Sequence, residues 1–76
     1  MLLNSASPIT VNLPTAASRN GFPLAIKDIS GNAHNNTITI NANGAETIEN
    51  SALITIRNDW GGWALYPVTG GWILRP

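Results

Sequence analysis

The chain has 76 residues, a formal net charge of zero and no cysteine, and only 11% of its residues are charged. This excludes a disulfide framework, a basic nucleic-acid-binding stripe and a polybasic membrane anchor. It also bounds the chain to one domain, which on its own hides only about 60% of its unfolded surface, so oligomerisation is the expected source of further buried area.

Residues 1–7 carry no apolar periodicity and read as an N-terminal arm, ahead of a single β domain over residues 8–76. Extended, seven residues reach about 23 Å, enough to clasp a neighbouring subunit. Met1-Leu2-Leu3 is too short for the apolar core of a signal peptide, and no run approaches the roughly 20 apolar residues of a membrane span. The lack of cysteine fits a protein made in a cytosol.

Ile9, Val11 and Leu13 alternate with Thr10 and Asn12 between Pro8 and Pro14, the period-two pattern of a first strand. Residues 15–21 suit one short helical turn, stopped by Asn20-Gly21. The spacing predicts a second strand over residues 22–28, with Pro23 placing its start at an edge or bulge. A polar turn over residues 30–36 follows, then Thr37-Ile38-Thr39-Ile40 alternates again in a third strand that ends at Asn41. The two runs flanking this turn read as a hairpin or a neighbouring strand pair. Gly44 suits a left-handed turn position. Residues 46–51 read as a short extended piece anchored by Ile48, and residues 52–58 as a strand with Ile54 and Ile56 on one face. Asp59-Trp60-Gly61-Gly62 is a turn. Residues 63–67 and 72–75 then form a closing hairpin around 68–71. No segment shows a sustained helical period. The reading is all-β: a small antiparallel sandwich, barrel or prism of short strands, completed by homotrimer formation.

Few residues suggest chemistry. His34 is the one histidine and sits in the Asn-rich turn, without the three or four ligands a zinc site needs. Asp28, ahead of Ser30-Gly31, caps its own turn. Glu46 and Glu49 lie three apart in an extended segment and therefore face opposite ways, which is wrong for an acid/base pair. The glycines lack the lysine-serine ending of a phosphate loop. No catalytic residue, metal ligand or cofactor is indicated. The notable cluster is aromatic. Trp60, Trp63 and Tyr66, with Trp72, offer a platform for sugar rings or for a protein interface, and Trp72 also suits the core. The apolar pairs Ile38 and Ile40, and Ile54 and Ile56, are the candidates for a face shared around a threefold axis.

One stretch is specific. Phe22-Pro23-Leu24-Ala25-Ile26-Lys27-Asp28-Ile29-Ser30-Gly31-Asn32-Ala33, followed by Asn36-Thr37-Ile38-Thr39-Ile40, resembles a β module common in structural proteins of tailed bacteriophages. Ile9-Thr10-Val11-Asn12-Leu13-Pro14, Glu46-Thr47-Ile48-Glu49-Asn50, the pair Trp60-Gly61 and Gly70-Gly71-Trp72-Ile73-Leu74 resemble other parts of the same pattern, so the likeness runs from Pro8 to Arg75. It implies a trimeric, β-rich component of the virion surface, of the tail-fibre, tailspike or decoration type. Starting at Met1, with no shaft, coiled coil or enzymatic domain, the chain reads as a free-standing product. That favours a non-enzymatic capsid decoration or cement protein, whose partners are its own copies and the major capsid protein or another virion protein. The alternative is a tail-fibre or tailspike tip that binds host-surface glycan through the tryptophans. Neither reading involves nucleic acid or a membrane.

Overall fold

The computed structural model describes residues 2–4 and 6–75; Met1 and Ser5 of the arm, and Pro76, lie outside the described residues. Among the described residues, eight strands run β1 (Leu2–Leu3), β2 (Ile9–Asn12), β3 (Leu24–Asp28), β4 (Ile38–Asn41), β5 (Thr47–Ile48), β6 (Leu53–Ile56), β7 (Gly62–Val68) and β8 (Gly71–Arg75). A single 3-10 turn, Ala16–Arg19, is the one helical piece among the described residues. The strands form a five-stranded sheet, ordered β1-β3-β7-β8-β5, and a three-stranded sheet, ordered β2-β4-β6.

The fold is all-β, but both sheets are mixed rather than antiparallel, and neither closes into a barrel. The pairs β1–β3, β2–β4 and β5–β8 are parallel. The pairs β3–β7, β4–β6 and β7–β8 are antiparallel. The runs on either side of the 30–36 turn are not a hairpin and not neighbours. β3 belongs to one sheet and β4 to the other, because the turn wraps around the buried Asp28 carboxylate and leaves the plane of β3.

Local sequence explains the strand limits. Pro23 starts β3 late, so Phe22 stays outside it and is 69% exposed. β5 stops after two residues because Glu49 and Asn50 both adopt left-handed backbone, the signature of a tight reversal that brings Ser51 back against Ile48. β7 and β8 extend further than expected, to a two-residue loop of Thr69 and Gly70, because Val68 pairs with Gly71. Leu2 and Leu3, within the N-terminal arm, pair with Lys27 and Asp28 as an edge strand.

Alternation places Leu24, Ile26, Leu65, Trp72 and Ile48 on the inner face of the larger sheet. Val11, Ile38, Ile40 and Ile56 line the inner face of the smaller one. These residues, with Leu13, Ala16 and Ala33, form one shared core. Ile40 and Leu65 are completely covered, and Ile38 and Ile56 nearly so. This corrects the expectation for three of the four isoleucines. Ile38, Ile40 and Ile56 are buried inside a single copy and offer no face to another, and only Ile54 is part-exposed. Any joint between copies has to use a different surface.

Candidate functional site

Asp28 organises one end of the molecule. It lies on the inner face of β3 and is 1% exposed. Its Oδ1 accepts from the Ser30 hydroxyl at 2.6 Å and from the Ser30 N–H at 2.9 Å. Its Oδ2 accepts from the N–H groups of Asn32, Ala33 and Trp60, each at 3.1 Å. Five donors thus converge on one carboxylate. The Ser30 hydroxyl is the largest influence, followed in the same sense by the Trp60, Ser30 and Ala33 N–H groups. Together they outweigh the opposing effect of burial and hold the carboxyl at about 2, below its ordinary 3.8. The expected turn cap is present, and it also ties down the 59–61 turn across 32 residues of sequence.

That turn carries Trp60 at φ +62°, a conformation costly for a bulky side chain. The Trp60 carbonyl accepts from the Lys27 ammonium. Its indole lies against Gly31, itself at φ +73°, where a Cβ would overlap the ring. Trp60 is nevertheless 58% exposed. Beside it, Asp59 accepts from His34 Nδ1 at 2.6 Å and from the His34 N–H at 3.0 Å. The His34 contact, foremost, lowers the Asp59 pKa. Gly31→Ala is expected to displace the Trp60 ring and lower stability by about 1–3 kcal/mol, read as a quenched or shifted tryptophan fluorescence and a lower urea midpoint.

The aromatic residues do not form one platform. In β7, odd residues point inward and even residues outward, as the pairings Leu24 with Leu65 and Ala25 with Ala64 require. Trp63 therefore packs against the core while Tyr66 stands on the opposite face. Trp72 is 1% exposed. Trp60 alone sits at the loop end.

The outward face of the larger sheet carries exposed apolar residues, with Lys27, Thr47 and Arg75 at the same face in the register. Register places Leu2 beside Lys27, Ala25 beside Ala64, Tyr66 beside Ile73, and Val68 beside Gly71. Leu2, Val68, Ile73 and Tyr66 are 68%, 43%, 40% and 38% exposed. A shallow depression of about 270 Å³ lies over Gly62, between Ala25, Lys27 and Ala64. Tyr66 is exposed, and it is the one of these residues that the sequence singles out as a candidate contact residue. Leu2, Val68 and Ile73 were not, because Trp72-Ile73-Leu74 is a continuous apolar run with no polar alternate to reveal its outer residue. The Tyr66–Ile73 pairing is the signal that would have found Ile73.

The remaining acidic side chains hold backbone. Both oxygens of Glu46 accept from the Ala16 N–H, at 3.0 and 3.2 Å, and so cap the 3-10 turn. Glu49 Oε2 accepts from the Leu74 N–H at 2.9 Å. A cleft of about 480 Å³ between the 3-10 turn and the β7–β8 loop has Glu46 as its one ionisable lining residue. No cluster of three or more metal-ligating side chains occurs among the described residues. No helix among them is long and apolar enough to cross a membrane. Comparison with protein-family models, curated proteins and solved structures finds no match to this chain.

Proposed function

We propose that the chain is a non-enzymatic structural protein of a phage virion, a homotrimer that decorates and stabilises the capsid surface. One observation carries the assembly part of this reading: the outer face of the five-stranded sheet. Leu2, Tyr66, Val68 and Ile73 are exposed apolar residues on three of its strands, and Lys27 and Arg75 share the register of this face. Exposed apolar residues gathered on one sheet face mark a docking face. The partner it suits is another virion protein, held by area and shape, since the chain has almost no charge with which to steer a partner. The virion setting and the number three rest on the likeness of residues 8–75 to phage modules.

Ile73→Lys tests the docking face. Ile73 is on the exposed side of β8, so the variant keeps its far-ultraviolet dichroism. A charge placed against an apolar partner surface is expected to weaken attachment about tenfold or more. The measurement is the number of copies retained on purified particles. Full retention would remove this face from the interface.

A second reading, a tail-fibre tip that stacks host-surface glycan, is favoured by Trp60. The turn keeps an exposed indole at a backbone position where glycine would be easier. Trp60→Gly is expected to leave stability within about 1 kcal/mol of the parent, since relief of the left-handed strain offsets the lost contact with Gly31. On this reading the same variant loses signal on a glycan array. Under the capsid reading, neither protein gives any signal there.

A further inference from the structure

The smaller sheet ends in two open edges that match each other. In the antiparallel β4–β6 ladder, the Ala42 N–H donates to the Ala52 carbonyl at 3.0 Å. Hydrogen-bonded pairs recur at every second residue, so Ile40 pairs with Ile54, and Ile38 with Ile56, through the backbone. The N–H and C=O groups of Leu53 and Thr55 then point away from β4. On the other side, the N–H groups of Ile9 and Leu13 donate to Thr37 and Asn41, so Ile9, Val11 and Leu13 face β4. The backbone groups of Thr10 and Asn12 point outward. Among the described residues, none of these four outward residues has a backbone partner.

The edges of the larger sheet differ. They are β1 and β5, two residues each, too short to pair with much. β6 has no such protection. Leu53-Ile54-Thr55-Ile56 contains no charge, no proline and no glycine. Leu53, 48% exposed, is the one apolar residue among Thr10, Asn12, Thr39, Asn41 and Thr55, which share its face.

We propose that copies of this chain join head to tail, with the β6 edge of one against the β2 edge of the next. This rests on the homotrimer reading and names its joint. β2 runs parallel to β4 and β6 runs antiparallel to it. Rotation about an axis along the strands therefore sets β6 antiparallel to β2 of the neighbour. Leu53 and Thr55 then meet Asn12 and Thr10 of the next copy, and about four backbone hydrogen bonds form at each joint. Every copy uses both edges, so a ring of three leaves none open. Pairing β6 with a second β6 would leave β2 open in every copy.

The test uses the absence of cysteine. In the double variant Asn12→Cys with Leu53→Cys, the two cysteines of one copy are separated by β4, about 9.6 Å apart, and cannot bridge. Oxidation of the full chain is expected to give covalent dimers and trimers on a non-reducing gel. Leu53→Cys alone is expected to give none. Thr55→Pro removes an outward N–H without touching the internal ladder, and is expected to keep the parent dichroism while raising the trimer dissociation midpoint about tenfold or more. A trimer in solution that neither cross-links nor responds to Thr55→Pro would overturn the joint and leave the trimer reading standing. Cross-linking of Leu53→Cys alone would overturn it in favour of a twofold joint. A chain that sediments as a monomer at every concentration would overturn both.

Discussion

Asp28→Ala is expected to lower the thermal midpoint by roughly 10 °C or more, because one truncation removes the carboxylate acceptor of four backbone N–H groups and one hydroxyl, and of the four only the Asn32 N–H keeps a second acceptor, the Ser30 hydroxyl. These donors belong to two separate turns, so both should loosen together, and the Trp60 indole should report the change. Asp28→Asn keeps the shape and should recover only part of the loss, since its amide nitrogen meets donors with donors. The same site sets an acid limit. The carboxyl is held at about 2 in the folded chain, against an ordinary 3.8. A depressed folded-state pKa contributes stability that is complete above about pH 4 and is lost as pH falls towards 2. Thermal melts between pH 2 and pH 7 should show this decline in the parent and a flatter profile in Asp28→Asn. Equal acid sensitivity in the two proteins would mean that Asp28 is not the group responsible.

Trp72→Ala should cost about 3–5 kcal/mol, a large share of what a domain of this size possesses. Trp72 is the largest of the fully buried side chains and stands on β8 opposite Ile48. It sits beside the close approach of Gly71 to the Thr47 carbonyl, so the cavity left by truncation lies between rigid strands and cannot collapse. Trp72→Phe should be far milder, about 1–2 kcal/mol, because the indole Nε1 is buried without a hydrogen-bond partner. Removing that N–H recovers part of what the smaller ring gives up. Urea midpoints of the two variants separate these terms. If Phe is as damaging as Ala, shape rather than burial governs this site.

These two residues also mark where sequence reading succeeded and where it stopped. Alternation around Ile9, Val11, Ile38 and Ile40 identifies strands with one buried face, because period two is a local property. The turn-capping role of Asp28 is local in the same way. Its hydrogen bond to Trp60 is not, since the partner lies 32 residues away. A reader of the sequence therefore joins β3 to β4, although the two never pair. The parallel pairings are hidden for the same reason: no short turn announces them, unlike the Thr69-Gly70 loop. By chain size alone, the isoleucines are surplus that copies must share. The structure buries Ile38, Ile40 and Ile56 within one copy and leaves apolar surface exposed elsewhere, on Leu2, Phe22, Leu53, Trp60, Val68 and Ile73 among others. Charge count and composition do not distinguish these two distributions of the same oil.

Sedimentation equilibrium of the purified chain, from high micromolar to nanomolar concentration, tests the assembly most directly. A species of three times 8.1 kDa that dissociates only on strong dilution is expected. A folded species of 8.1 kDa across the whole range would contradict it.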